Sequence, residues 1–266
     1  MEIERGLVRI STGYVHYRAT GQGMPIVLMH AAGQSSAMFL ELMEVLSRNL
    51  RVYAIDFPSY GMSDHIGGEP TVSDYAGFVV EAIDALGVKR ASFFGESTGA
   101  YVAVELANTR PERVDKIIMV SCPFYPNEEI RRKRHAALTG DQHPTDPTGF
   151  PLTRTLEFVI ERDPEHIPMH PTQPWLDRGN VALIESGRDR WQLIRALARY
   201  DQPNNLDRVQ CPVLVVWGDH FFAVQFRDEF TKHLKNHQVL VVKDARFAPH
   251  SEYPEEVGGA ILKFLG

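Results

Sequence analysis

The chain has 266 residues, 44% hydrophobic and 23% charged, which suits one large globular domain with an insertion and excludes a disordered chain. Its formal net charge of −6 and pI near 6.0 argue against a nucleic-acid partner. Two cysteines are too few for a disulfide framework, and neither an apolar leader nor a run of about 18 apolar residues occurs, which predicts a cytoplasmic protein without a membrane partner.

Short apolar runs bounded by turn residues recur along the chain and predict strands. The first two, residues 7–10 and 14–17, predict an antiparallel hairpin. Later runs alternate with helix-period segments, which predicts an α/β fold with a mainly parallel sheet and helices on both faces. The later predicted strands are 26–29, 52–55, 92–94, 116–120, 213–217 and 239–242, and the predicted helices are 37–47, 72–86 and 256–265.

The alternation breaks between residues 123 and 202, a stretch rich in Pro, His and Arg with helical patches near 152–162 and 190–200 and turn-rich segments at 139–151 and 167–174. Ligands bind at the carboxyl ends of the strands in open α/β sheets, so this insertion is predicted to form a helical lid there. The predicted core is residues 1–122 and 203–266, with 123–202 as the lid. Trp175 and Trp191 are candidate substrate-pocket residues, although such residues are also typical of a lid's own core.

The most specific motif is Gly95-Glu96-Ser97-Thr98-Gly99, between a predicted strand at 91–94 and a predicted helix at 100–108. A Gly-x-Ser-x-Gly sequence in a strand, tight turn and helix context predicts a nucleophile elbow. The glycines are required because bulk at either position would collide with the neighbouring strand or helix. A serine held in this way projects its hydroxyl into a pocket.

Four further motifs follow the same order as in a known family: residues 29–33 are similar to an oxyanion loop, 56–63 to an Asp-x-Pro-Gly-x-Gly-x-Ser turn, 211–219 to the strand before a catalytic acid, and 245–257 to a closing His-x4-Glu-x-Pro segment. With these motifs the chain resembles the α/β-hydrolase fold family over essentially its whole length. The resemblance implies that Ser97 occupies the nucleophile position and that the backbone N–H groups of Ala32 and Thr98 form the oxyanion hole. It also implies a structural role for His30 in the oxyanion loop.

The same resemblance puts the catalytic acid at Phe221 and the catalytic histidine at Phe247. A serine hydroxyl needs an oriented base to become a nucleophile, and phenylalanine supplies neither base nor acid. His250 is a candidate substitute base, with the alternative that it only precedes the last helix; His220, Asp219 and Asp244 are other nearby polar residues. If the two phenylalanines stack as an aromatic pair, Ser97 faces a drier, apolar cavity.

Three functions stay open. The first is a protein of serine-hydrolase lineage that acts on or binds a small, largely apolar carbonyl compound, such as an ester, lactone or thioester, with a degenerate or mutated triad. The second is a non-hydrolytic cyclase, lyase, dehydratase or isomerase that uses the same pocket and oxyanion hole, and the third is a catalytically silent ligand-binding protein. Serine in the elbow argues against epoxide and haloalkane chemistry, which in this family needs an aspartate nucleophile.

The sequence predicts no cofactor and no metal. Neither a dinucleotide fingerprint nor a phosphate loop is present, and Pro168 between His166 and His170 spoils a helical metal pair. The expected partner is a small molecule, and the oligomeric state stays open.

Overall fold

The computed structural model describes residues 2–125, 127–139, 153–162 and 164–266. Residues 140–151 of the predicted turn-rich segment lie outside them. Within the described residues, eight strands form one sheet in the order β1-β2-β4-β3-β5-β6-β7-β8. The strands are β1 (Glu4–Ile10), β2 (Gly13–Thr20), β3 (Met24–Met29), β4 (Leu50–Ile55), β5 (Ala91–Glu96), β6 (Val114–Val120), β7 (Val213–Gly218) and β8 (His237–Val242).

Both predicted features of the sheet are confirmed. β1 pairs antiparallel with β2, from Glu4 opposite Ala19 to Ile10 opposite Gly13, and β2 pairs antiparallel with β4. The strands from β3 to β8 run parallel to one another. Their carboxyl ends therefore meet at one edge of the sheet, where an α/β fold places its functional loops.

Helices cover both faces of the sheet because successive side chains of a buried strand point to opposite sides. On β5, Phe93 packs into the apolar layer under α2 and α3, whereas Phe94 packs into the layer under α1 and α11. The helices are α1 (Leu40–Leu46), α2 (Val72–Ala85), α3 (Thr98–Thr109), α4 (Glu128–Thr139), α5 (Leu156–Arg162), α6 (Gln173–Ser186), α7 (Gln192–Ala198), α8 (Gln202–Asp207), α9 (Arg227–Thr231), α10 (Pro249–Glu252) and α11 (Pro254–Leu265), with 3₁₀ turns at Ser36–Phe39, Pro111–Arg113, Pro164–His166, Gly187–Trp191 and Phe222–Phe226.

Helix α6 is the main element that the sequence did not predict, because residues 167–174 look turn-rich. The Thr172 hydroxyl caps this helix by accepting a hydrogen bond from the Trp175 N–H, and Pro174 occupies its first turn. Proline is tolerated there because the first N–H groups of a helix have no intrahelical partner. The proline that suggested a turn is thus part of a helix start.

The predicted lid segment is attached to the core by buried and half-buried polar contacts. The Tyr60 hydroxyl donates to the carbonyl of Arg190 at 3.1 Å and accepts from the Leu193 N–H at 2.9 Å. Farther along, the Arg178 guanidinium pairs with Glu41 on α1 at 2.6 Å. Among the described residues, no helix is both long and apolar enough to cross a bilayer.

Candidate functional site

The elbow has the local geometry that its glycines predict. Ser97 joins β5 to α3 with φ 51° and ψ −112°, a left-handed backbone that costs energy in any residue with a side chain. A Cβ at Gly95 would lie 2.3 Å from the carbonyl oxygen of Gly99, and a Cβ at Gly99 would lie 2.5 Å from the carbonyl oxygen of Met29. Both glycines are therefore required by close backbone approach, and α3 starts directly against the end of β3.

Ser97 is the one residue of the elbow pentapeptide that is not fully buried. Its N–H donates to the carbonyl of Val120 on the neighbouring strand at 2.8 Å, which holds the turn in place. Among the described residues, its hydroxyl makes no hydrogen bond, and the N–H of Thr98 has no acceptor. The elbow thus presents an unpartnered hydroxyl and a free N–H donor at the start of a helix.

The second predicted oxyanion donor is already engaged within the protein. The Ala32 N–H donates to Oγ1 of Thr98 at 2.8 Å. The contact arises because Gly99 lets the start of α3 approach the loop that follows β3. Of the two N–H groups that the family resemblance implies for an oxyanion hole, only that of Thr98 has no acceptor in the described part of the chain.

His30 is a structural residue, as expected. Its Nδ1 lies 2.7 Å from the carbonyl oxygen of Ala31, and the Phe57 N–H donates to its Nε2 at 3.1 Å. Because Nε2 accepts, the proton is on Nδ1 and the ring is neutral. Burial lowers the pKa of this imidazole, which keeps it neutral. His30 therefore joins the loops after β3 and β4 and is not available as a base.

Phe221 and Phe247 are brought together. Phe221 lies three residues after β7 and Phe247 five residues after β8, and their ring centroids are 6.1 Å apart. Both are buried in the same apolar layer. Phe222 and His166 of the predicted lid segment extend this aromatic group, with ring centroids 4.6 Å from Phe221 and 6.0 Å from Phe247, respectively. The two positions that the resemblance assigns to acid and base therefore meet as an apolar pair.

His250 lies in a different part of the molecule from this pair. Its ring packs against Phe39 and Phe94, each with a centroid distance of 5.5 Å, in the layer under α1 and α11. Burial lowers the pKa of His250 to about 3. A substitute-base role for His250 stays a prediction, and this location on the other face of the sheet does not support it.

The sequence reasoning missed the partner of His250. Nε2 of His250 lies 4.0 Å from Oε1 of Glu96, the residue before Ser97. Burial raises the pKa of the Glu96 carboxyl to about 8, an effect that the Ala31 backbone N–H partly opposes. Among the described residues, neither carboxyl oxygen nor Nδ1 of His250 has a hydrogen-bond partner. The available signal was that Glu96 lies two residues after Phe94 on a buried strand and so points to the same face.

The other polar candidates form surface pairs. Asp219 accepts a hydrogen bond from the Ala245 N–H at 3.2 Å, and His220 lies 3.8 Å from Asp219. Asp244 pairs with His170 at 3.2 Å. Within the described ranges, no three His, Cys, Asp or Glu side chains converge on a metal position.

The two tryptophans are placed apart. Trp175 is buried in a small apolar cluster that joins the predicted lid segment to Met38. Trp191 is half-buried with the Arg190 guanidinium 5.3 Å from its ring centroid. A pocket role for either stays a prediction. A cleft of about 220 Å³ between α6 and the loops after β3 and β4 contains neither; it is lined by Arg18, Ser35, Ala37, Asp56, Met62, Asp177, Arg178, Val181 and Glu185.

Comparison with known proteins agrees with this architecture. The family model described as the alpha/beta hydrolase family matches residues 26–260. An (E)-2-((N-methylformamido)methylene)succinate hydrolase of Acinetobacter baylyi is 22% identical over 94% of this chain and 93% of its own length. A pimeloyl-[acyl-carrier protein] methyl ester esterase of Aliivibrio salmonicida is 23% identical over 96% and 97%. The crystal structure of the enol-lactonase from Burkholderia xenovorans LB400 shares the fold with a TM-score of 0.75 at 22% identity, covering 98% of this chain and 99% of that one.

Proposed function

The chain belongs to the alpha/beta hydrolase family, and we propose that it binds or acts on a small, largely apolar carbonyl compound held at Ser97. In this proposal Ser97 occupies the nucleophile position, and Phe221 and Phe247 occupy the positions of a lost acid and a lost histidine. Any turnover then relies on positioning and hydrogen bonding to the carbonyl oxygen, because no basic side chain among the described residues is hydrogen-bonded to Ser97.

The observation that carries the proposal is the contact between the rings of Phe221 and Phe247 at the carboxyl edge of the sheet. Ser97 lies at the same edge, at the end of β5. A degenerate triad explains why two positions far apart in sequence meet there as an apolar pair while the elbow keeps its costly backbone geometry. An elbow without a function would have little reason to keep that strain.

Two observations support a carbonyl ligand. The free N–H of Thr98 at the start of α3 suits an oxygen that carries partial negative charge. The compared proteins include a methyl ester esterase and an enol-lactonase, whose named substrates are esters and lactones. Serine in the elbow is consistent with this class and not with chemistry that needs an aspartate nucleophile.

Non-hydrolytic chemistry is the second candidate, in the form of a cyclase, lyase, dehydratase or isomerase. The observation that favours it is the Ser97 hydroxyl, which no basic side chain contacts among the described residues. A serine in this state can still donate a hydrogen bond to a bound ligand. A silent binding protein differs from this candidate only in leaving the ligand chemically unchanged.

Restoring the triad tests the proposal. The double variant Phe221→Asp/Phe247→His should hydrolyse p-nitrophenyl butyrate with a kcat on the order of 10² or more above the parent, because serine and base act as one unit. The measurement is release of p-nitrophenol under saturating substrate, with circular dichroism to verify the fold of each variant.

Three variants serve as controls. Each single substitution should give little of the gain, since a histidine without its acid is poorly oriented and an acid without a histidine activates nothing. Ser97→Ala in the double variant should remove the gain. A folded double variant with the parent's rate would show that these positions are not a vacated triad.

A further inference from the structure

We propose that the side-chain hydroxyl of Thr98, and not the N–H of Ala32, is the second hydrogen-bond donor to the carbonyl oxygen of the ligand. This inference rests on the proposed function. It assigns both donors to one residue, because the backbone N–H of Thr98 is the first donor. The ligand class is a compound with a carbonyl oxygen that can accept two hydrogen bonds.

The hydrogen bond between Ala32 and Thr98 is the starting observation. Oγ1 of Thr98 accepts from the Ala32 N–H at 2.8 Å, so that N–H is not free for a ligand. A threonine hydroxyl has one proton to donate as well as lone pairs that accept. Since the lone pair side faces Ala32, the proton of Thr98 must point elsewhere.

The second observation is that the hydroxyl proton of Thr98 has no hydrogen-bond acceptor in the described part of the chain. Among the described residues, the Thr98 hydroxyl has no acceptor, although the residue is only 5% exposed. Buried hydroxyl groups normally satisfy their donor, and leaving one unpaired is costly. A donor kept unpaired beside a free backbone N–H is what a site for an acceptor oxygen requires.

The strength of the arrangement comes from its anchoring. Thr98 is the first residue of α3, a helix of 12 residues, and Gly95 and Gly99 fix its position against β3 and β5. The bond from Ala32 restricts rotation of the hydroxyl, so little entropy is lost when the ligand binds. That bond also polarises the hydroxyl and makes it a better donor.

The test measures binding of acetophenone, labelled with ¹³C at the carbonyl, to the parent chain and to single variants at Thr98 that keep Phe221 and Phe247. The affinity of this ketone should follow the order Thr98 ≈ Thr98→Ser > Thr98→Ala > Thr98→Val. Valine keeps the shape, removes the donor and covers the Ala32 N–H, so the dissociation constant should rise about fivefold, as for one lost hydrogen bond. Alanine removes the hydroxyl but frees the Ala32 N–H, which partly replaces it.

Infrared difference spectroscopy measures the carbonyl stretching band of the bound ketone, which would not shift if Thr98 had only a structural role. The carbonyl band of the bound ketone should shift to higher wavenumber in Thr98→Val and stay unchanged in Thr98→Ser. Thr109→Val is the matched control: its hydroxyl donates to the Glu105 carbonyl at the other end of the same helix, so the band should not move. Thermal unfolding verifies that each variant is folded, and Thr98→Ser and Thr98→Ala keep the test decisive if Thr98→Val does not fold.

The outcomes separate the two proposals. An unchanged carbonyl band in Thr98→Val overturns the role of Thr98, because the hydroxyl would then not bond the ligand. Tighter binding by Thr98→Ala than by the parent also overturns it, because the hydroxyl would then only block the Ala32 N–H. If the natural chain binds no ketone at all, the proposed function fails and this assignment fails with it. A gain of esterase activity in the double variant remains an independent measure of the vacated triad.

Discussion

Glu96, the residue before the elbow serine, carries a fully buried carboxyl group. Nε2 of His250 lies 4.0 Å from Oε1 of Glu96, and both groups are neutral in the folded protein near pH 7 because burial penalises charge. Because Glu96 is neutral, its burial in the core beside Ser97 avoids the larger free-energy cost of burying a charge.

These two pKa values give the Glu96–His250 pair a pH-dependent contribution to stability. Glu96 ionises near 4.5 when unfolded and near 8 when folded, so the folded state retains a proton that the unfolded chain loses, and stability falls as pH rises from about 4.5 to 8. His250 titrates near 6.5 when unfolded and near 3 when folded, so stability falls as pH drops from 6.5 towards 3. The two effects cancel between about 4.5 and 6.5, where this pair gives its maximum stability.

Glu96→Gln should remove the decline at high pH, because the amide has the same shape and cannot ionise. At about 1.4 kcal/mol per pKa unit, the parent should lose roughly 2–4 kcal/mol of unfolding free energy between pH 5 and 9 that the variant keeps. Urea unfolding at pH 5, 7 and 9 measures this difference. The exposed Glu256→Gln should follow the parent profile, and an equal decline in Glu96→Gln would contradict the assignment.

At the scale of elements, helix α11 shows how two adjacent glycines differ in their surroundings. A Cβ on Gly258 would lie 2.6 Å from Cγ1 of Val45 on α1, whereas a Cβ on Gly259 would meet nothing within 4 Å. Gly258 therefore permits the close packing of α1 and α11 that covers one face of the sheet. Gly259 has no such packing role, and like any glycine inside a helix it loses more backbone conformational entropy on folding than alanine would.

The two alanine substitutions should thus have opposite signs. Gly259→Ala should stabilise the protein by about 0.5–1 kcal/mol through helix propensity. Gly258→Ala should destabilise it by about 1–3 kcal/mol, because the β-branched Val45 has little rotamer freedom with which to move away. Urea unfolding of the pair provides its own control, and equal effects at both positions would show that α1 and α11 do not pack as described.

At the scale of the whole molecule, the predicted lid segment depends on the core for its polar contacts. Tyr60 lies in the loop after β4, yet its buried hydroxyl bonds two backbone groups near the start of α7. Glu69 in the loop before α2 reaches the same helix through Arg195 at 2.9 Å. Opening of this segment must therefore break buried hydrogen bonds as well as surface ion pairs.

Tyr60→Phe should loosen the predicted lid segment while leaving the sheet intact. The substitution removes the hydrogen-bond partner of the Leu193 N–H and of the Arg190 carbonyl, which should lower the free energy of unfolding by about 1–3 kcal/mol. Hydrogen exchange should accelerate in residues 187–200 and remain slow in β5. Tyr14→Phe is the control, since this exposed hydroxyl bonds no group in the described part of the chain, and unchanged exchange in Tyr60→Phe would show that Tyr60 does not hold the segment.

The strands and the elbow could be predicted because their signals are local. Apolar runs between turn residues marked each parallel strand from β3 to β8, and the glycines around Ser97 marked a turn with no room for side chains. Helix α6 was missed because its capping residues Thr172 and Pro174 look like a turn when the helix that follows is not recognised. Thr and Pro at these positions are compatible both with a turn and with the start of a helix, and packing decides between the two.

The sequence by itself determined the fold, the position of Ser97, and the absence of a polar side chain at positions 221 and 247, because these follow from residue types and from spacing along one strand, turn or helix. Only the tertiary structure decided that Phe221 and Phe247 meet, that His250 packs beside Glu96 and away from them, and that Thr98 occupies the Ala32 N–H. The physical reason is that hydrogen bonds and ring contacts depend on distances of a few ångströms between segments far apart in sequence, and those distances exist only after the sheet and its helices have packed.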